Sequence, residues 1–163
     1  MANHSLDHSR SGIWGRTWYW KQQLTQADEA IHTAGGPAKC EFFRPPMGFK
    51  SWRMAAAARH TGHRIVMWRL RGRDGVPTTA EAILGRILPR ARAGDIIVLH
   101  EGAEPGKKRD PAATIAAVPG LIAGLRAKGL EPVRLDELLG EAPVTTSARG
   151  ARESRSGRAA ARA

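Results

Sequence analysis

Two histidines stand four residues apart in His4-Ser-Leu-Asp-His8. On a helical turn, positions i and i+4 share one face, so both imidazoles can reach a single divalent metal. The spacing resembles the H-E-x-x-H of metalloproteases, but Ser5 stands where that chemistry needs a glutamate, which excludes it. Alone, the pair reads either as metal ligands or as two solvated histidines on a polar N-terminal segment. A second cluster, FFRPPMG, places Arg44 on a loop stiffened by two prolines and turned by Gly48. It suits an arginine held against a fixed carboxylate, or an ordinary surface arginine at a strand end. The third, IIVLHEG, ends an apolar run on His100, with Asp74 in the loop it would face. A histidine oriented by a carboxylate is a general acid; the alternative is a satisfied strand-end histidine.

These groups need a frame, and the sequence alternates strand and helix patterns. Helices are predicted over TWYWKQQLTQADEAIHT, SWRMAAAARHTG and TAEAILGRILPRAR, the last capped by Thr79 or Thr78 and ended or kinked by Pro89. A further helix, TIAAVPGLIAGLRAKG, is expected to be interrupted or started at Pro119. KCEFFRPP, HRIVMWRL and DIIVLHEG read as strands, with LEPVRLDELL as the last strand and its end. Continuous apolar strands alternating with helices imply an α/β fold with a parallel sheet. Chemistry then gathers at strand C-terminal ends, where Arg44, the RGRD loop and His100 all fall. Trp14, Trp18 and Trp20 read as core or as a groove wall.

The chain has 163 residues, 42% hydrophobic, enough for one domain with a sizeable core. Its formal net charge is +11, and residues 142–163 hold Arg149, Arg152, Arg155, Arg158 and Arg162 against Glu153 alone. That stretch, lacking apolar periodicity, is expected to be a disordered basic tail. It could attract an acidic polymer, but no recognition motif accompanies it, so no specific nucleic acid is expected as partner. A single cysteine, Cys40, excludes a disulfide framework and a cysteine-rich zinc site. No apolar run approaches the ~20 residues of a membrane span, and the polar N-terminus carries no signal-peptide apolar region.

In order and spacing, the clusters resemble the polysaccharide deacetylases, the NodB-homology domain of carbohydrate esterase family four. HSLDH resembles the family's H-S/T-x-x-H, and FFRPPMG its Arg-Pro signature. Trp68 with Asp74 resembles its W-x-x-x-x-x-D-W, and IIVLHEG its Leu-His strand end. The resemblance covers about residues 3–139. Two departures stand out: Gly75 replaces the second tryptophan, leaving that wall to a residue such as Trp52, and the strand ending Thr-Phe-Asp-Asp is absent. In the family that strand supplies the catalytic base and one metal ligand.

The resemblance implies metal-dependent hydrolytic deacetylation of N-acetylated or O-acetylated sugars in a glycan such as chitin or peptidoglycan. Zinc would be held by His4 and His8, with Ser5 helping to orient them. His100 would be the acid, Asp74 its holder and Arg44 the holder of the base. The Met47 N–H would meet the oxyanion, Leu99 would line an acetyl pocket, and Trp68 would form a wall. The expected architecture is an incomplete, distorted (β/α) barrel over residues 1–140, missing its first strand and helix, followed by the tail over 141–163. The expected status is the C-terminal two-thirds of such a domain, impaired for want of the aspartate pair. The alternative is a catalytically dead glycan-binding protein.

Overall fold

In the computed structural model, residues 1–102 and 110–140 are described. Residues 103–109 lie outside them, as do residues 141–163, on which the expectation of a disordered basic tail falls. The order is β1 (Ala2–Asn3), α1 (Thr17–Thr33), β2 (Phe42–Phe43), α2 (Trp52–Thr61), β3 (Arg64–Ile65), β4 (Leu70–Arg71), α3 (Ala80–Ile87), β5 (Ile97–Val98), α4 (Ala112–Ala127) and α5 (Leu135–Leu138). All strand pairing is parallel, in two arcs: β1-β2-β3, with Asn3 opposite Phe43 and Phe43 opposite Ile65, and β4-β5, with Leu70 opposite Ile97. This is an α/β fold, an incomplete and distorted (β/α) barrel.

Each arc has its own core. Trp20, Leu24, Phe43, Met54, Ala57 and Ala58 join α1 and α2 to the first arc. Leu70, Ile83, Ile87, Ala117, Leu121 and Leu125 join α3 and α4 to the second. Local chemistry sets the helix ends. Ser51 Oγ accepts from Met54 N at 3.1 Å to start α2, and Gly62, at φ 70°, closes it in the left-handed region. Thr79 caps α3 by accepting from Ala82 N at 3.2 Å, and Pro89 converts its end to a short 3-10 turn.

Three expectations are corrected. HRIVMWRL is not one strand: its start pairs with β2 and its end with β5. The prolines after Arg44 have no N–H to donate, so the β2-β3 ladder stops, and residues 66–69 carry the chain to the second arc. Helix α4 runs straight through Pro119. The carbonyl that Pro119 cannot serve belongs to Ile115, and both residues are exposed, so water can take the missing donor's place. Finally, LEPVRL forms no strand among the described residues: no strand lies beside it to share a ladder, Pro132 removes a donor, and the chain turns into α5.

Candidate functional site

Parallel strands deliver their C-terminal ends to one rim. His4 follows β1, Arg44 follows β2, and Leu99 and His100 follow β5. His4 and His8 do not sit on a helical turn as the spacing suggested. They lie in a loop with Ser5 at φ 68° and His8 at φ 51°, backbone that cannot continue a right-handed helix. Their rings still meet edge to face, with centroids 5.0 Å apart. His4 Nδ1 donates to the Arg44 carbonyl at 2.6 Å, the only sense possible because a carbonyl accepts. Burial, opposed by that hydrogen bond and aided by the charges of Arg44, His8 and His100, pulls the His4 pKa down to about 4. At neutral pH its other nitrogen therefore presents a lone pair. His8 Nδ1 is buried and has no hydrogen-bond partner among the described residues.

Asp74, in the loop after β4, is 1% exposed. One oxygen accepts from His100 N at 2.7 Å and Thr114 Oγ1 at 2.9 Å, while the other lies 3.0 Å from His100 Nδ1. Burial alone would push this carboxyl up, but the hydrogen bonds from His100 and Thr114 outweigh it and hold the pKa below the usual range. The His100 side chain remains 53% exposed, so a fixed carboxylate orients an imidazole that solvent or a ligand can reach.

Beside His4 lies a cavity of about 330 Å³, lined among others by Arg44, Val66, Trp68, Val98 and Glu101; His8, Asp74 and His100 do not line it. Arg44 is half-buried; desolvation lowers its pKa, with the Glu101 charge acting against that shift. Among the described residues its guanidinium has no hydrogen-bonded carboxylate. Met47 sits at φ 54°, left-handed inside the Pro46–Gly48 turn. The turn's hydrogen bonds come from Gly48 N and Phe49 N, and leave out the Met47 N–H.

The family model described as polysaccharide deacetylase matches residues 1–66. The chain belongs to the polysaccharide deacetylase family. It is 31% identical over 147 residues to a bifunctional xylanase/xylan deacetylase of Cellvibrio japonicus, covering 90% of this chain and 21% of that protein. It is 30% identical over 134 residues to a chitooligosaccharide deacetylase of Sinorhizobium fredii, covering 79% and 62% respectively. Among solved structures, a family 4 acetyl xylan esterase from Clostridium thermocellum in complex with a cobalt ion superposes with TM-score 0.72 at 26% identity, covering 85% of this chain and 63% of that one. The chain thus spans less than two-thirds of each.

The structure of this deacetylase-family chain brings together His4, His8, Arg44, Asp74 and His100, as their order suggested. Trp68 packs on Gly48: a β-carbon there would stand 2.7 Å from its ring. Leu99 is turned elsewhere, against Gly72 and the second core, and the cavity wall from this strand is Ile97 and Val98. Gly75 lies beside the His100 ring, where a β-carbon would make ordinary contact at 3.5 Å. Trp20 is core, whereas Trp14, Trp18 and Trp52 are exposed, with Arg53 stacked 5.1 Å over Trp52.

Sequence reasoning missed Glu101, although it adjoins His100, and Thr114, which comes from α4 with no local signal. It also missed Asn3 and Gln23, which brace the histidine loop: Gln23 Oε1 accepts from Leu6 N and Asp7 N at 3.0 and 3.1 Å.

The histidine pair fits a metal. One ring is fixed by a backbone carbonyl as the neutral tautomer, and the other holds a buried, unpartnered nitrogen. A third ligand is not there: among the described residues, no three of His, Cys, Asp and Glu cluster suitably.

Gly48 is the tightest backbone position of this site, with φ 73° and the Trp68 ring against it. Gly48→Ala is expected to destabilise the chain by about 1–2 kcal/mol from left-handed strain, and to displace Trp68. Urea unfolding together with Trp fluorescence checks both.

Proposed function

We propose that this chain carries the acid side and two metal ligands of a hydrolytic deacetylase acting on N-acetylated or O-acetylated sugars of a glycan. The observation that carries this reading is the Asp74–His100 pair placed on one rim with the His4–His8 pair. His4 and His8 would hold a divalent ion, most naturally zinc, which supplies Lewis acidity to the acyl oxygen and to water. Asp74 fixes His100 through Nδ1, so a proton for the departing amine or alcohol would leave from the opposite ring nitrogen. An amine is a poor leaving group until protonated, so this step matters most for N-acetyl substrates. The Met47 N–H would donate to the oxygen that becomes negative, and Trp68 would wall the sugar site. Arg44 would hold a carboxylate base. Residues 1–140 would form the working unit, with the arginine-rich 141–163 dispensable for chemistry.

The base and a third ligand would have to come from a Thr-Phe-Asp-Asp run, which this sequence does not contain. We therefore expect this chain alone to be strongly impaired. Acetate release from chitooligosaccharides, with and without zinc, checks this; robust zinc-dependent turnover would refute the impairment. The lack of a three-ligand cluster among the described residues also favours a second reading, a glycan-binding protein without catalysis. It expects saturable oligosaccharide binding that survives His100→Ala and releases no acetate.

A further inference from the structure

A buried polar chain runs beneath the histidine loop. Asn3, wholly buried, donates from Nδ2 to Leu24 O at 2.8 Å and to Asp28 Oδ1 at 2.9 Å. With the amide nitrogen committed there, Oδ1 faces the loop and accepts from Ser5 N at 2.9 Å. Ser5 Oγ in turn accepts from His8 N at 3.2 Å. Asp28 is itself clamped. Its Oδ1 also accepts from Cys40 N at 3.2 Å, and its Oδ2 stands 3.1 Å from His63 Nε2, a close contact off-line for a hydrogen bond. His63 Nδ1 lies 2.8 Å from Thr61 Oγ1 at the end of α2. Burial first, then the Asp28 charge, pushes the Cys40 thiol up to about 11, so it stays protonated and inert.

Asp28, Cys40, Thr61 and His63 do not line the cavity beside His4 and Arg44, and apolar side chains there would pack α1 on the sheet equally well. What apolar residues could not do is decide which way the Asn3 amide faces. That orientation matters because Ser5 and His8 both hold left-handed backbone. Such conformations persist only where the surroundings over-determine them. We propose that Asp28, clamped by His63, is a positioning residue: it sets the Asn3 amide and, through Ser5, the backbone that presents His8 beside His4. The consequence for metal affinity rests on the metal-binding reading above; the geometric role does not.

The test uses the full chain with Asp28→Ala and Asp28→Asn. Met54→Ala serves as a control that loosens the same core without touching the polar chain. Native-state hydrogen exchange reports the Ser5 and His8 amides, and cobalt(II) titration followed by its d–d absorption reports the histidine pair. Asp28→Ala should speed the two loop amides at least about tenfold beyond any change in α1, and weaken cobalt(II) by about tenfold, as loss of an outer support typically does. Asp28→Asn keeps an acceptor oxygen for Asn3 and should restore most of both. Met54→Ala should move all amides together. Acceleration by Asp28→Ala in step with α1 would overturn the proposal. If that variant does not fold, His63→Gln must show the same loop-selective pattern at smaller scale, and uniform acceleration there overturns it equally. Should the unaltered chain fail to bind cobalt(II) while the loop amides respond selectively, the metal reading fails and the positioning role stands.

Discussion

Asp74→Ala is expected to cost about 3 kcal/mol of stability and to abolish whatever acid catalysis His100 supports. The carboxylate is 1% exposed and, among the described residues, accepts from the His100 N–H, the His100 ring and the Thr114 hydroxyl. Alanine leaves those donors facing a small apolar void, which is dearer than never having had the bonds. It also unties α4 from the β4 loop, because Thr114 is the helix residue that reaches Asp74. Thr114→Val, which removes one donor and keeps the carboxylate, should cost only about 1 kcal/mol. Urea unfolding of both variants gives the comparison; equal losses would show that helix packing, not the carboxylate, holds the loop.

The same group sets an acid limb. A carboxyl whose folded pKa is lowered binds fewer protons folded than unfolded between the two values, so stability rises with pH there. The contribution is complete above the unfolded carboxyl range, ~4, and disappears as pH falls through the lowered folded value. Asp74 is lowered in this way, and Asp95, hydrogen-bonded by Arg69, is lowered to about 2. Thermal unfolding of the chain should therefore weaken progressively below pH ~4. Asp74→Asn should flatten part of that slope, and an unchanged slope would remove Asp74 from the account.

Much of the frame was legible because it depends on local signals. Helix α1 is bounded by the Gly-Gly-Pro after it, α2 by Ser51 and Gly62, and α3 by Thr79 and Pro89. Order and spacing also sufficed to gather His4, Arg44, Asp74 and His100 on one rim, since parallel strands send their ends the same way. What failed depended on pairing. The run through Trp68 looks like one strand, but its neighbours belong to two arcs. The i, i+4 histidines suggested a helix, but the bond from Ser5 N to Asn3 Oδ1 and the Gln23 contacts hold a left-handed loop instead. Thr114 lies 40 residues from Asp74, and no local pattern encodes that contact.

Loss of either His4 or His8 is expected to lower zinc affinity by at least tenfold, since loss of even an outer support costs about 10–100-fold. The chain has six histidines, so weak binding could in principle arise anywhere. The others are differently engaged. His32 and His60 are exposed on helices, with Nδ1 near the carbonyls of Gly36 and Ala56. His63 is shut between Asp28 and Thr61, and His100 is held by Asp74. Only His4 and His8 stand ring to ring, and only that pair combines a neutral ring fixed by a carbonyl with a buried nitrogen awaiting a partner. Calorimetric zinc titration of His4→Ala, His8→Ala and His60→Ala separates the cases. The first two should lose binding and the third keep it. Binding that survives both rim substitutions, or that follows His60, would mean that the ion is held elsewhere and that the rim histidines serve the glycan rather than a metal.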